Sequence, residues 1–441
     1  MFKKSLMALA LIGAAAAAQA GNVQVYGVVD AGVDYNKTKV SGDAVLSFEK
    51  ASFKVNESST KLATGKHSGN RFGIKGTEEI APNIKAGFVL EGGFDLLNGD
   101  MADKGKLFNR QADLFIEGDF GHIAFGRVGT LTSANGTYGI LGQADNFAGG
   151  WGDHIGAAKN VFVSSGRIDN SVTYMSPEVA GAKLYAQYSF NQKGEQKDKL
   201  HENDRYTAIG ATYKFDNLEL VGVFDKTFYN DNKVIFDKDD KKKDSKIKDR
   251  WSLNLGGSYD FEVVKVFALY QHAAHSMDFG GMNGSKAYTV SQQVGPENTE
   301  FFKALAKINA VKKHIDNVDS RRFDMMLNQG NGLKSDSIAI GLDAPIGKGT
   351  IKAQVHYGRA KLQQAYNGNS FITGFNAKIR STGMAVGYEH NLSKRTQLYI
   401  AGAYDHSKID VHMDKFALLN NVASQVKMNT FEAVAGLVHK F

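Results

Sequence analysis

The sequence predicts an all-β chain: a transmembrane antiparallel β-barrel of sixteen strands, with short periplasmic turns and long outer loops. Three observations carry this. The chain closes on an alternating strand-like run, Thr430 to Phe441, that ends in an aromatic residue. It opens with the three parts of a secretory leader. Between the two, apolar residues recur with a period of two along most of the chain.

The leader comes first. Lys3 and Lys4 form its positive region, and Ser5 to Ala18 is apolar but too short to span a bilayer. Ala18-Gln19-Ala20 has the form of a cleavage site, so cleavage is expected between Ala20 and Gly21. Residues 1–20 are then the leader and 21–441 a single barrel domain. No run of about eighteen apolar residues remains afterwards, which excludes a helical membrane protein.

Composition agrees. A chain bound for an oxidising compartment carries no cysteine, so disulfides contribute nothing to its stability. Only 4 prolines interrupt potential hydrogen-bond ladders, while 48 glycines, 17 tyrosines and 28 phenylalanines suit tight turns and aromatic girdles. The net charge of +7 is mild, and the densest charge lies in the mixed-sign run 237–249, a solvated loop. It gives no sign of nucleic-acid binding.

The strands follow in order. Phe72 and Ile74 share a face opposite Arg71, Gly73 and Lys75. Ile168, Val172 and Tyr174 oppose Asp169, Ser171 and Thr173; Trp251, Leu253 and Leu255 oppose Ser252, Asn254 and Gly256. Ile351, Ala353, Val355 and Tyr357 alternate with Lys352, Gln354, His356 and Gly358. A soluble sandwich shares this alternation. Two features favour a membrane barrel: the polar faces mix Arg, Lys and Gln with small residues, as a wet lumen would, and connections alternate short and long. Short turns fall near 79–83, 118–121, 176–180, 215–217, 260–262, 343–347 and 391–394. Long loops fall near 36–68, 95–107, 128–167, 191–205, 227–250, 274–334, 361–379 and 407–428. Sixteen strands leave an aqueous channel, whereas eight are filled by side chains. Within 274–334, Phe301, Leu305, Ile308 and Ile315 have helical spacing, expected as a helix on the barrel rim.

Other chemistry finds little support. His272 and His275 lack a second ligand pair, so no metal site is expected, and no cofactor. Gly69, Gly73 and Gly76 are not followed by the Lys-Ser/Thr of a phosphate loop. Ser165, Asp169 and the scattered histidines form no recognisable triad, so the chain reads as a non-enzyme.

Several segments carry a resemblance. Val25-Tyr-Gly-Val-Val-Asp-Ala-Gly32, Asn70-Arg-Phe-Gly-Ile-Lys-Gly-Thr-Glu78, Asn109-Arg-Gln-Ala112, Gly118-Asp-Phe-Gly121, Phe125-Gly-Arg127, Arg167 to Pro177 and Gly436-Leu-Val-His-Lys-Phe441 lie in order across the chain. Together they resemble the Gram-negative general porins, in particular the branch of Neisseria and related β-proteobacteria. The outer loops match poorly. The resemblance implies a homotrimer in the outer membrane, among its lipids and lipopolysaccharide. It implies a third outer loop folded into each lumen, whose acids face basic residues on the wall. Those acids are then Asp145 and Asp153, and the wall candidates Arg71, Lys75, Arg110, Arg127 and Arg167. Gly436, His439 and Phe441 become the signal read by the barrel-assembly machinery. The implied function is passive diffusion of ions and small hydrophilic solutes through a water-filled channel; the excess of basic wall candidates over loop acids leans weakly to anions, though porins of both preferences occur. A channel selective for sugars, phosphate or organic acids stays open as an alternative, with a barrel enzyme or adhesin behind it. One conflict accompanies Arg110. Its parity would turn Asp113, Phe115 and Glu117 inward, so a bulge near Asp113 or a protein-facing surface is expected there.

Overall fold

The computed structural model describes residues 23–46, 49–133, 136–230, 235–236, 242–243, 248–280, 282–283, 331–363, 372–416 and 419–441. The leader with Ala20 and Gly21, and the helical spacing in 298–315, lie outside them.

One antiparallel sheet closes on itself. Its strands are β1 (Gln24–Leu46), β2 (Glu49–Thr64 continued by Arg71–Ala81), β3 (Ile84–Gly93), β4 (Gln111–Gly118), β5 (Gly121–Gly129), β6 (Arg167–Met175), β7 (Ala182–Ser189) and β8 (Arg205–Phe215). The circuit continues through β9 (Leu218–Phe228), β10 (Arg250–Asp260), β11 (Lys265–Ser276), β12 (Leu333–Ile346), β13 (Gly349–Leu362), β14 (Asn376–Asn391), β15 (Thr396–Phe416) and β16 (Leu419–Lys440). β16 pairs with β1 from Val28↔Lys440 to Val45↔Ala423, which completes the sixteen-strand barrel.

The faces are inverted relative to a soluble sandwich. Leu114 and Ile209 are each 62% exposed and Val355 and Ile400 each 57%, whereas Gln271, Ser337, Gln354 and Glu432 are buried. Such a surface is tolerable only where the surroundings are hydrocarbon, so the apolar face meets lipid and the polar face lines the lumen. Every strand is paired on both sides around the ring, as a wall set in hydrocarbon requires.

All seven short turns are present, with the one expected at 343–347 moved to 347–348. Two loops are not loops. Residues 36–46 and 49–64 continue β1 and β2 as a hairpin, and 407–416 and 419–428 continue β15 and β16. These extensions pair with each other, so four strands rise together beyond the barrel wall. Their Lys, Asp and Ser content hid the strands, although Val40 is buried and Val411 and Met413 pack inward.

The conflict at Asp113 resolves without a bulge. β4 pairs in unbroken register with β3 and with β5. Arg110 precedes the strand, and Gln111 sets the inward parity: Asp113 is 4% exposed and Leu114 faces lipid. Asp113 accepts hydrogen bonds from Tyr138 Oη (2.6 Å) and Gln111 Nε2 (3.0 Å). The register shift lies instead between Gly126 and Val128 against β6, and it re-aims Arg127.

At the seam, Gly27 N donates to Phe441 O and Phe441 N to Gly27 O, both at 3.1 Å. A Cβ at Gly27 would run into the Phe441 ring, so glycine there makes room for the terminal aromatic. His439 Nδ1 lies 2.9 Å from Thr396 Oγ1.

Candidate functional site

The third outer loop, 130–166, is described apart from 134–135. It lies against inward-facing side chains of at least six strands. A loop pressed on a wall has backbone groups with no ladder to join, and each must find a partner or pay a desolvation penalty. Glutamines supply them. Gln187 Oε1 accepts from Leu131 N (2.9 Å) while its Nε2 donates to Gly129 O (3.0 Å). Gln271 Oε1 accepts from Val163 N (2.7 Å) and its Nε2 donates to Val163 O (2.8 Å), as another peptide would. Gln354 Oε1 accepts from Ala157 N (2.7 Å). Asn146 Nδ2 donates to Ala353 O (3.1 Å) and to Asp343 Oδ1 (2.8 Å). Its side chain fits because Gly341 leaves the wall open: a Cβ there would collide with it.

Between those bonds the loop buries Tyr138, Phe147, Trp151, Ile155 and Val161, none more than 3% exposed. Trp151 stands edge-on to His67 (4.5 Å between ring centres) and to Phe147 (5.3 Å). His67 belongs to the break in β2, residues 65–70, which turns inward around the Asp30 carboxylate. That carboxylate accepts from His67 N and Ser68 N (both 2.7 Å) and from Tyr399 Oη (2.8 Å).

The break delivers Lys66 to the tip of the loop. Its ammonium lies 2.5 Å from Asp153, 2.9 Å from Asp34 and 3.8 Å from Glu432. Glu432 in turn accepts from Asp153 N (2.8 and 2.9 Å) and His154 N (2.6 Å). Asp34, Asp153 and Glu432 come close enough together to hold a cation, and Lys66 supplies that charge from the chain itself. Burial alone would raise the Asp153 carboxyl; the Lys66 ammonium overrides it and holds the group below the usual range.

The basic candidates gather on β2 to β6. Arg110 Nε donates to Glu91 Oε1 (2.6 Å), and Arg71 Nε is 3.6 Å from Glu91 Oε2. Arg71 Nη1 also donates to Gly69 O (2.9 Å). Arg127 pairs with Asp169 and donates from Nε to Asn109 O (2.8 Å). Arg167 Nε donates to Arg110 O (2.8 Å), and Lys106 Nζ to Asp169 Oδ2 (2.9 Å). Five bases thus surround two acids. Lys75 stands apart and exposed, 5.4 Å from the Tyr26 ring centre.

The structure thus gathers Arg71, Arg110, Arg127 and Arg167 and separates the two loop acids. Asp153 is half-exposed. Asp145 is 3% exposed and turned to the wall, where it accepts from Gln354 Nε2 (2.6 Å) and Phe147 N (3.0 Å). The reading of Asp145 as a lumen-facing acid is therefore corrected: its carboxylate serves loop and wall backbone. Burial raises its pKa, only partly opposed by Gln354 and the Phe147 amide. Sequence reasoning missed Lys66, Glu91 and Glu432. Glu91 and Glu432 carry a usable signal, each the one acid of its strand placed at the inward parity. Lys66 carries none, because the break in β2 is not visible as a pattern. Of the two histidines, His272 Nδ1 lies 2.7 Å from Asp336 and His275 Nδ1 2.7 Å from Asn331 O.

A closed sixteen-strand barrel with a lipid-facing belt and a charged, loop-lined lumen defines an outer-membrane channel. Comparison with known proteins gives the family. Residues 5–410 match the Gram-negative porin family. An outer membrane porin protein of Bordetella pertussis is 30% identical over 91% of this chain and 94% of its own length. The major outer membrane protein P.IB of Neisseria sicca is 27% identical over 63% of this chain and 74% of its own. Among solved structures, an anion-selective porin from Comamonas acidovorans superposes with a TM-score of 0.53 at 21% identity, covering 96% of this chain and all of that one. The chain belongs to the Gram-negative porin family and is a channel of the outer membrane.

Proposed function

We propose that this porin passes small hydrophilic solutes by passive diffusion and prefers anions, through a narrowing between the tip of the third loop and the basic wall. The carrying observation is the imbalance of charge. On the loop side the exposed acid is Asp153, already paired with Lys66, while Asp145 is buried. On the wall side Arg71, Arg110, Arg127, Arg167 and Lys106 share Glu91 and Asp169. Fixed charges lining a water-filled constriction raise the local concentration of counter-ions, and anions gain here. The Comamonas porin named for anion selectivity supports the same sign. No moving part is needed; flux follows the gradient. We further infer cleavage of the leader after Ala20, assembly through Gly436, His439 and Phe441 by the barrel-assembly machinery, and a homotrimer, all resting on the family likeness.

The test is single-channel recording in a planar bilayer across a salt gradient. A reversal potential of the sign set by chloride, with conductance in threefold steps, is expected. A cation-selective reversal potential would overturn the preference, and a silent bilayer from folded protein would overturn the open channel.

A further inference from the structure

We infer that the start of the sixth outer loop, 277–280 with 282–283, is a second element inside the lumen: Phe279 wedges the third loop in place and so sets the width of the narrowing. The inference rests on the open channel proposed above and is independent of its ion preference.

The chain is turned inward at the top of β11. β11 and β12 pair in register as far as Ala273↔Ser335, and the next pair is Ser276↔Leu333, so β11 carries one extra residue. Such a bulge bends the strand that holds it. His275 takes a left-handed φ of 57° there, a conformation that persists only where the surroundings enforce it. Its Nδ1 lies 2.7 Å from Asn331 O, and Gly332 leaves its backbone room to pass: a Cβ there would lie 2.7 Å from His275 C. Ser276, fully buried, then donates from Oγ to Asp278 Oδ1 (2.7 Å) and accepts from Asp278 N (3.3 Å). Asp278 and Phe279 pair with Asn283 and Met282, which closes a tight hairpin with Gly280 at its turn.

What the hairpin meets is the third loop. Gly280 has a φ of 55°, and a Cβ there would lie 1.9 Å from Asn160 O and 2.5 Å from Val161 N. The two backbones therefore touch at the end of the short helix Ala157–Asn160. The Phe279 ring, 0% exposed, lies inside β13: a Cβ at Gly358 would sit 2.8 Å from Phe279 Cζ and 2.8 Å from Val161 Cβ. Glycine at an inward position of the wall thus makes the socket in which ring and loop meet. A ring in a lumen lined largely by polar groups is stable only against a matching apolar surface, here Val161, Phe162, Leu333 and Ala360. The strands hold the same stretch by hydrogen bonds: Gln354 at Ala157 N (2.7 Å), Ser337 at Val161 O (2.8 Å) and Gln271 at Val163 N (2.7 Å). Those bonds fix the loop to the wall, and the ring with the Gly280 backbone stops it from rising toward the outer mouth. With the space along β12 and β13 filled, solute passes on the side of the basic residues.

The test uses the full-length protein and two readouts. Single-channel conductance with graded polyethylene glycols reports the width of each open channel and not the number of folded barrels. Hydrogen exchange of the segment 155–165 needs no open channel. Phe279→Ala is expected to raise unit conductance about 1.5-fold and admit larger polymers. It should also speed exchange of 155–165 on the order of tenfold while the strands keep their protection. Phe279→Leu refills most of the socket and should return both readouts toward wild type. Gly280→Ala drives a Cβ into the Asn160 backbone and should act as Phe279→Ala does, which keeps the test decisive where the alanine at 279 prevents folding. Wild-type polymer cut-off and exchange in these variants would overturn the inference. So would faster exchange spread evenly over the strands, since the ring would then be an ordinary part of the barrel core. A silent wild type with the exchange contrast intact would overturn the open channel and still support Phe279 as the residue that holds the loop.

Discussion

The two sides of the lumen use the same alternating strands for opposite ends. On β7, β11, β13 and β16 the inward positions that meet the third loop are Gln187, Gln271, Gln354 and Glu432. On the side of β2 to β6, apart from Gln111 and Asp113, which hold Thr137 and Tyr138 of the loop, the inward groups include a cluster of guanidinium and ammonium ions. The difference is one of desolvation. A carboxamide both donates and accepts, so it can satisfy a buried peptide group without burying a charge. A guanidinium is costly to bury, and here each one is tied through Nε to a backbone carbonyl or an acid. One part of the wall is therefore mainly a seat for backbone, and the other gathers the charge.

The sharpest way to break this contrast is at its junction, where Lys66 carries a charge into the seat. Lys66→Met would leave Glu432, 0% exposed, without its cation and Asp34, 1% exposed, with only Lys61 at 3.6 Å. Removing one partner of a buried ion pair costs about 3–5 kcal/mol. A large fall in the urea or thermal midpoint of the folded barrel is expected, with noisier single-channel currents as the loop tip loosens. An unchanged midpoint would mean that Lys66 is a bystander. Within the seat proper, Gln271→Leu strands the N–H and the C=O of Val163, for about 1–3 kcal/mol, read by the same unfolding curves. Ion preference should stay put, because no lumen charge changes.

The opposite half should behave in the opposite way. Arg71→Gln and Arg110→Gln leave the glutamine contacts of the seat intact, so stability should fall less than with Lys66→Met while the reversal potential moves toward cations. A unit charge near 4 Å in water is worth about 1 kcal/mol, so roughly a fivefold drop in the anion-to-cation permeability ratio is expected for each. The shift should shrink in molar salt, where the Debye length falls to about 3 Å. A midpoint that falls with no change in permeability would make these arginines structural.

How far the sequence reveals this division depends on the range of the interactions. Strand faces are local, and a period of two reads them directly, as at Phe72/Ile74 against Arg71/Lys75. Turns are equally local, and their chemistry at Asn83 and Asp216, both with positive φ, is visible in the residues themselves. The seat is not local. Gln354 meets Asp145 across 209 positions and Glu432 meets Asp153 across 279, and nothing near any of them announces the contact. Resemblance located the third loop but could not tell which of its acids turns to the wall. The tall hairpins of β1–β2 and β15–β16 went unread for a different reason: apolar positions such as Val40, Ile409, Val411 and Met413 are outnumbered there by Lys, Asp, Ser and Asn, the composition of a loop.

The smallest effects separate the two loop acids, and pH is the lever. Asp153 sits below the usual carboxyl range, so it contributes stability above its unfolded pKa of about 3.9, lost as pH falls through its folded value. Asp145 sits above that range, so its folded form holds a proton the unfolded chain has released. Its contribution is greatest below about pH 3.9 and is lost as pH rises through its folded value. Together they place the firmest hold on the loop near pH 4. Asp145→Asn keeps an acceptor for Gln354 Nε2 and the Phe147 amide while deleting the buried charge. The thermal midpoint should then be level above pH 4 where wild type declines, with ion preference unchanged. Asp153→Asn should flatten the acid limb instead, and it should raise anion preference, because this carboxylate faces water. If Asp145→Asn moved the reversal potential and Asp153→Asn did not, the loop would present its acids to the lumen in the reverse order, and the seat would have to be redrawn around Asp153.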